Sequence, residues 1–268
     1  MIEDQERTRN PMNEKSIDTY LYCAMSIGEE LLKNGAEVGR VEDTIQRICM
    51  AYGALRVDVF SITSSIVTTV YGQGFETHTQ TRRISERGNN LHRLDELNRL
   101  SRWICQERPS ADEIMERLDE IKNGAVYSFG WQLLIYALVS GSFSVFFGGD
   151  FKDMLASALI GISLKFMESF LKHYFSNSMV TALLCSVAGG FLANAAVRTG
   201  MGSHVDLISI GNVMLFIPGL AFTNSLRDMF SGDTATGLLR FMESCLLAMV
   251  IAIGFTLPNF LFCTQCSL

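Results

Sequence analysis

The sequence predicts a polytopic α-helical membrane protein, in which a soluble N-terminal α+β domain is followed by about five transmembrane helices. The distribution of charge is the first observation behind this fold class. Residues 1–123 contain 16 of the 22 lysines and arginines and 21 of the 28 aspartates and glutamates. Residues 124–268 are therefore far less charged than a soluble domain, in which roughly 25% of residues carry a charge. Long apolar runs in this second part are the other observation, because a helix needs about 20 mostly apolar residues to cross a bilayer.

The N-terminal part of the chain has the pattern of a soluble domain. Residues 1–12 are polar and charged, which is typical of a disordered lead-in. No apolar segment of a signal peptide follows them, so we expect the domain formed by residues 13–123 to stay in the cytoplasm. Apolar residues spaced three and four apart then predict two amphipathic helices. The first should end at Asn34 and Gly35, and the second at Gly53.

A small sheet and two more helices complete the predicted soluble domain. Residues 55–83 are rich in valine, isoleucine, threonine and aromatic residues, and parts of the segment alternate between apolar and polar. This pattern predicts two or three short antiparallel strands, with a turn at residues 72–74. A third helix is expected over about residues 90–105. Ser110 and Glu113 have the spacing of a capping box and predict the start of a fourth helix.

Five transmembrane spans are expected within residues 124–268. Their predicted positions are about 126–147, 153–171, 179–197, 206–224 and 238–260. The second span contains Lys165 and Glu168, which lie three apart on one helix face and can pair. The residues alone leave open whether that pair is structural or functional. Lysines and arginines favour the loops on the side of the soluble domain, which agrees with a cytoplasmic position of that domain.

A polar and charged interruption between apolar runs, residues 208–243, is the strongest candidate for a functional site. Ionisable groups and broken backbone occur at membrane depth only where protein or a water-filled cavity satisfies them. Pro218 should kink or break the fourth span. Arginines here can bind a carboxylate, and aspartates can take a proton. The alternative is a loop at the membrane interface without a transport role, in which an aspartate caps a helix and the arginines snorkel to the membrane surface. The candidate substrate or proton pathway comprises Asn212, Pro218, Gly219, Asn224, Arg227, Asp228, Asp233, Arg240 and Glu243.

A second motif lies where the first two predicted helices meet. Gly35, Glu37, Arg40 and Glu42 bring three ionisable residues into one helix–helix junction. Gly35 suits a helix C-terminus, and Glu37 near a helix N-terminus is favourable for the helix dipole. Arg40 can pair with Glu37 or with a carboxylate across the junction. A structural hinge would explain this junction motif as well as a functional role would.

Several function classes find no support in the sequence. The four histidines lack the spacing of metal ligands, and the motifs of hydrolases, phosphate-binding loops and zinc proteases are missing. We therefore expect no enzyme, no catalytic residues, no metal and no cofactor. The net charge of −6 comes without a basic stripe, which argues against a nucleic-acid partner. Cys263 and Cys266 form a single C-x-x-C pair, which is a weak signal for a metal or redox site.

Both motifs resemble those of a known family. Gly35-Ala36-Glu37 with Arg40-Val41-Glu42, followed much later by Pro218-Gly219, Asn224, Arg227-Asp228, Gly232-Asp233, Gly237 and Arg240, resemble the threonine/serine exporter family of bacterial inner-membrane proteins. The resemblance covers roughly residues 16–256. It implies secondary transport coupled to the proton gradient, with export of small amino or carboxylic acids across the bacterial inner membrane. Fused members carry an additional smaller membrane domain. No such smaller domain is predicted in this sequence, so the chain looks like the larger subunit of a split exporter. In this it is similar to two-component exporters implicated in succinate efflux.

The resemblance leaves the substrate open. Arg227 with Arg240 would suit a dicarboxylate, whereas Arg227 with Asp228 or Asp233 would suit threonine or serine. It implies a separately encoded, smaller multi-span membrane subunit as partner, in an oligomeric assembly within the lipid bilayer. The alternative is a membrane-anchored regulatory or scaffold protein, whose cytoplasmic domain binds a partner and whose spans serve as anchors.

Overall fold

The structure is a computed structural model that describes residues 14–72, 77–85, 88–124, 127–175 and 177–264. The predicted lead-in at residues 1–12 lies outside the described residues, as do most of the predicted turn at residues 72–74 and Cys266. In chain order, the described elements are α1 (Glu14–Lys33), α2 (Val38–Ala51), β1 (Arg56–Ile62), β2 (Ser65–Tyr71), β3 (His78–Arg83), α3 (Leu91–Glu107), α4 (Ala111–Asn123), α5 (Phe129–Phe146), α6 (Phe151–Tyr174), α7 (Ser178–Arg198), α8 (Val205–Val213), α9 (Gly219–Phe230) and α10 (Thr234–Thr264).

The chain divides into two compact units, and the division does not follow chain order. The first unit contains Met1–Ala125 together with Leu220–Phe241, and the second contains Val126–Gly219 together with Met242–Leu268. The charged segment that the sequence places among the spans therefore belongs to the same unit as the N-terminal domain. Helix α10 begins in the first unit and continues in the second.

Helices enclose a small sheet in the first unit. The strands pair antiparallel in the order β1-β2-β3, with Val57 opposite Val70 and Ile66 opposite Arg82. Val57, Ile66 and Val70 are buried, because alternate residues of a strand face one side of the sheet. They join the apolar faces of the first four helices in one core. The predicted α+β architecture, with up to three antiparallel strands, is confirmed.

Local sequence signals set the helix ends in this unit. Gly35 and Gly53 have φ angles of 92° and 95°, a backbone conformation that side chains other than glycine's rarely allow. They follow α1 and α2, where the sequence predicts the two helices to stop. At the start of α4, the Ser110 hydroxyl accepts from the Glu113 N–H and the Glu113 carboxylate accepts from the Ser110 N–H. The predicted capping box is therefore present.

The described part of the chain contains four helices long and apolar enough to cross a membrane: Phe129–Phe146, Phe151–Tyr174, Ser178–Arg198 and Thr234–Phe262. The number of candidate spans is one lower than predicted, because residues 206–224, the fourth predicted span, do not form one continuous helix. That segment forms α8, of 9 residues, and α9, of 12 residues, separated by a turn. At 1.5 Å per residue α8 is only about 14 Å long, roughly half of a bilayer core. Pro218 follows the turn and directly precedes α9, where its missing N–H costs no helical hydrogen bond.

Small residues bring the helices of the second unit close together. A Cβ atom on Gly161 of α6 would lie 2.8 Å from the Tyr136 carbonyl oxygen of α5. A Cβ atom on Gly190 of α7 would lie 2.9 Å from the Phe255 carbonyl oxygen of α10. Membrane helices associate through such close backbone approaches, because the lipid provides no hydrophobic drive between them.

Candidate functional site

The two sequence motifs meet in the first unit, although they are far apart in the chain. The Asn224 side-chain amide donates to the Gly35 carbonyl oxygen over 3.1 Å, across a separation of 189 residues. The Arg240 guanidinium donates to the Ala36 carbonyl oxygen, also over 3.1 Å. We call this contact region the junction cluster: Gly35, Ala36, Glu37 and Val38 with Asn224, Arg227, Asp228 and Arg240.

The shape of the α1–α2 loop makes its carbonyl groups available. After α1 ends, the Gly35 N–H donates to the Leu32 carbonyl oxygen and the Ala36 N–H donates to the Leu31 carbonyl oxygen. These bonds satisfy the end of the helix and require the positive φ of Gly35. The Gly35 and Ala36 carbonyl groups are then left to accept from Asn224 and Arg240.

Asp228 is the buried charge of the junction cluster, with 2% of its side chain exposed. Its carboxylate accepts from the Arg240 guanidinium over 2.9 Å and from the Val38 N–H at the first turn of α2. Glu37, the N-cap residue of α2, makes no side-chain capping bond, so Asp228 provides this acceptor from another helix. Burial raises the pKa of Asp228, and Arg240 and the Val38 N–H partly offset the effect. This carboxylate can therefore bind a proton more readily than an exposed aspartate.

The other charged groups of the two motifs are less buried. Arg227 pairs with Glu37, and 58% of the Arg227 side chain is exposed. Arg40 is exposed and forms no ion pair within the described part of the chain. Glu42 instead accepts from the Ser61 N–H over 2.7 Å, and burial raises its pKa. Asp233 immediately precedes α10, and its carboxylate lies beside Gly39 of α2.

A cleft of about 170 Å³ opens next to the junction cluster. Since a cavity needs only about 10–15 Å³ of this kind of space to hold one water molecule, the cleft has room for a small solute. It is lined by Asn34, Gly35, Ala36, Glu37, Arg40, Asn89, Leu91, Leu94, Leu220, Asn224 and Arg227. Two guanidinium groups, one carboxylate and three amides can therefore reach a small solute in it. Guanidinium groups bind carboxylates, and a carboxylate binds an ammonium group.

The predicted pathway residues fall into two sets. Asn224, Arg227, Asp228, Asp233 and Arg240 belong to the first unit, with Gly35, Glu37, Arg40 and Glu42 of the other motif. Asn212, Pro218, Gly219 and Glu243 belong to the second unit. There, Asn212 is 1% exposed and donates to the Ser157 hydroxyl over 3.1 Å, and Glu243 is half-buried. The roles of both sets of residues in transport stay predictions.

Sequence reasoning missed several members of the site. The Ala36 carbonyl and the Val38 N–H are backbone groups, so their residue types give no signal. Asn34 and Asn89 line the cleft, and asparagine is common at helix ends for reasons unrelated to binding. Gly35 at the end of α1 was the one available signal, because a helix C-terminus that ends at a glycine exposes carbonyl groups.

Comparison with known proteins assigns the chain to a family. The family model ThrE, with the description "Putative threonine/serine exporter", matches residues 22–259. The chain belongs to the threonine/serine exporter family. The matched region includes both halves of the junction cluster, so this contact lies within the part of the chain that is similar to the family.

Individual relatives in the family are distant. The chain is 24% identical to the "Probable succinate transporter subunit YjjP" of Klebsiella aerogenes, over 84% of this chain and 86% of the relative. It is 23% identical to the protein of the same name in Escherichia coli K12, over 84% and 87%. It is 26% identical to the "Threonine/serine exporter" of Corynebacterium glutamicum, over 86% of this chain but only 49% of that relative. No solved structure is significantly similar to the chain.

Family membership and the apolar helices agree on the broad class. The described residues provide four candidate membrane spans, the family is described as one of exporters, and the relatives are named as a transporter subunit and an exporter. The chain is therefore a multi-pass membrane transport protein.

Proposed function

We propose that this chain is a subunit of a secondary exporter, which uses the proton gradient to move small amino or carboxylic acids out across the bacterial inner membrane. The observation that carries the proposal is the cleft beside the junction cluster, where Arg40, Arg227 and Glu37 surround a space suited to a small acid. Residues 1–125 would face the cytoplasm, so that the cleft receives solute from inside the cell. The names of the relatives support the same class of substrate.

A smaller multi-span membrane subunit would complete the exporter. Two relatives are named as transporter subunits, and the chain spans about half the length of the Corynebacterium exporter. The experiment is to co-express the chain with the product of a neighbouring gene that encodes a small membrane protein, and to measure efflux of threonine, serine and succinate. Efflux that needs both proteins supports the proposal, whereas efflux that the chain supports by itself contradicts the need for a partner.

Replacing Arg227 by alanine, or Asp233 by asparagine, is expected to abolish this efflux while the protein still inserts in the membrane. Arg227 lines the cleft, and its ion pair with Glu37 is too exposed to contribute much to stability. Arg47→Ala is the matched control, because Arg47 is an exposed arginine of α2 that pairs with Asp43 outside the cleft. Normal efflux by both Arg227→Ala and Asp233→Asn would contradict the assignment of the site.

Glu37 is expected to distinguish the two substrate classes. A zwitterionic amino acid can place its carboxylate near Arg40 and its ammonium group near Glu37. A dicarboxylate needs both arginines that line the cleft, Arg40 and Arg227, and Glu37 repels it. We therefore expect Glu37→Gln to weaken threonine and serine efflux and to strengthen succinate efflux, as measured by competition between labelled solutes. Equal changes for all three solutes would show that Glu37 does not select the substrate.

A membrane-anchored scaffold is the second candidate function. The observation that favours the scaffold is the pairing of Arg227 with Glu37 and of Arg240 with Asp228. Ion pairs of this kind also hold helices together in a contact that has only a structural role. Reconstitution in liposomes separates the two candidates. An exporter moves solute across the liposome membrane when the chain and its partner are the only proteins present, and a scaffold does not.

A further inference from the structure

A line of polar residues, interrupted by Gly161, runs along one face of α6 in the second unit. Asp153, Ser157, Gly161, Lys165, Glu168 and Lys172 follow one another at spacings of three and four, which places them on one side of a helix. Polar residues of α5 and α8 face the same line, as their hydrogen bonds show. We call this set the polar seam: Tyr136, Ser140, Ser144, Asp153, Ser157, Lys165, Glu168, Lys172 and Asn212.

Glu168 lies at one end of the polar seam and has three partners. Its carboxylate accepts from the Tyr136 hydroxyl over 2.7 Å, and it pairs with Lys165 over 2.9 Å and with Lys172 over 2.6 Å. The side chains of Glu168 and Lys165 are only 13% and 12% exposed, whereas that of Lys172 is 62% exposed. Lys165 and Glu168 lie nine and six residues before the end of α6, about 14 Å and 9 Å along a helix that is long enough to cross a bilayer core. Ionisable groups at this depth are costly and are by default candidates for function.

The middle of the polar seam is fully buried and hydrogen-bonded across the helices. The Ser140 hydroxyl donates to the Ser157 carbonyl oxygen and the Ser157 hydroxyl donates to the Ser140 carbonyl oxygen, each over 2.9 Å. Asn212 of α8 donates to the Ser157 hydroxyl over 3.1 Å. These bonds link three helices through polar side chains.

Some polar atoms here have no partner within the described residues. The Asn212 side-chain oxygen and the hydroxyl groups of Ser144 and Ser209 are buried and form no hydrogen bond there. A buried polar group without a partner costs about 1–3 kcal/mol, so its presence calls for an explanation. A water molecule beside these atoms would provide the missing partner.

The other end of the polar seam also contains titratable groups. The backbone at Gly149 lies against both Ser144 and Asp153, which continues the seam to the start of α6. Asp153 is fully buried and accepts from the Ser203 and His204 N–H groups over 2.7 and 3.0 Å. The His204 ring is 2.8 Å from the Asp153 carboxylate, and this hydrogen bond raises the pKa of His204. The seam thus joins an ionisable group at each end of α6.

The seam is too tightly packed for a solute. A Cβ atom on Gly161 would lie 2.8 Å from the Tyr136 carbonyl oxygen, and one on Gly211 would lie 2.6 Å from the Ser157 hydroxyl. Space that cannot hold one more methyl group cannot pass an amino acid or a dicarboxylate. A proton needs no such space.

We propose that the polar seam is the proton path of the exporter and that Glu168 is its proton-binding carboxylate. The inference rests on the proposed function, since it explains how that exporter uses the proton gradient. The charged and titratable groups around Glu168 are Lys165 and Lys172 on α6, Tyr136 on α5 and Cys185 on α7. A proton on Glu168 removes the negative charge that both lysines share. The Tyr136 hydroxyl and both lysines favour the ionised form of Glu168, so a proton can bind there only when it displaces these partners.

The experiment uses the chain and its smaller subunit in liposomes, loaded with whichever of threonine, serine or succinate the wild-type complex moves. Two fluxes are measured: net flux driven by a pH gradient, and exchange of labelled for unlabelled solute at equal pH. Glu168→Gln keeps the size of the side chain but cannot ionise, so we expect it to lose gradient-driven flux and to keep exchange. Glu116→Gln, at an exposed position of α4, is the matched control and should keep both fluxes.

Tyr136→Phe is a second variant in case Glu168→Gln folds poorly. It removes one hydrogen bond to Glu168, so we expect a shifted pH dependence of gradient-driven flux with exchange unchanged. Gradient-driven flux retained by Glu168→Gln overturns the inference and leaves the proposed function intact. Loss of both fluxes in Glu168→Gln, with an unchanged pH dependence in Tyr136→Phe, also overturns it in favour of a structural role. A wild-type complex that moves none of the three solutes overturns the proposed function, and the inference with it.

Discussion

Arg240→Gln is expected to lower the free energy of unfolding by about 3–5 kcal/mol, the usual cost of removing one partner from a buried ion pair. Arg240 is 14% exposed and pairs with Asp228, which is 2% exposed. The substitution also removes the charged donor to the Ala36 carbonyl oxygen. Thermal unfolding of the purified protein in detergent measures the effect, and the variant should melt well below the wild type.

The loss caused by Arg240→Gln should depend on pH, with a sign that identifies Asp228 as the cause. Burial already raises the pKa of Asp228, and removal of Arg240 takes away a group that lowers it. The folded variant would then bind a proton more tightly than the unfolded chain. Its stability must fall as the pH rises above the unfolded pKa of an aspartate, about 3.9, and recover as the pH is lowered. We expect a larger difference from the wild type at neutral pH than at acidic pH.

Two further variants test the assignment of this effect to the buried pair. Adding Asp228→Asn to Arg240→Gln removes the unpaired charge and should restore part of the melting temperature, as in a double-mutant cycle. Arg227→Gln is the matched control, because the same segment holds this arginine in an exposed pair, worth about 0–1 kcal/mol. Equal losses in Arg240→Gln and Arg227→Gln would contradict the distinction between the two pairs.

Elements with a strong local signal could be predicted from the sequence. Spacings of three and four define α1 and α2, Ser110 and Glu113 define the start of α4, and alternation defines the strands. The predicted fourth span failed because hydropathy measures composition and not the continuity of a helix. Residues 206–224 are apolar enough to cross a bilayer, but the turn before Pro218 divides them into two short helices.

The candidate site could be predicted only in part, because its residues come from distant parts of the chain. Each motif could be recognised from its cluster of charged residues. The contact between them joins Gly35 and Asn224, which lie 189 residues apart in the chain. No periodicity in a single sequence reports such a pairing. The backbone partners at Ala36 and Val38 could not be found from residue type at all. The polar seam was partly visible as Lys165 and Glu168, whereas Tyr136 joins them only through the packing of α5 on α6.

Gly211→Ala is expected to have the second large effect, since the added methyl group would enter the most crowded part of the polar seam. Its Cβ atom would lie 2.6 Å from the Ser157 hydroxyl and 3.1 Å from the Ser144 Cβ atom, and it would also overlap the Ser140 carbonyl oxygen. A backbone carbonyl cannot rotate away as a side chain can, so α8 has to move away from α5. Overpacking of this kind costs about 1–3 kcal/mol and occasionally more, and it would also break the hydrogen bond from Asn212 to Ser157.

The same substitution at Gly130 should have the opposite sign. A Cβ atom on Gly130 of α5 would meet nothing within 4 Å, and alanine favours a helix by about 0.5–1 kcal/mol over glycine. Gly130→Ala should therefore melt at or above the wild-type temperature, while Gly211→Ala melts below it and yields less monodisperse protein in detergent. If both variants melted like the wild type, the three helices could not be packed as closely as the seam requires. A solute could then also pass along the polar seam, because only this close packing excludes it.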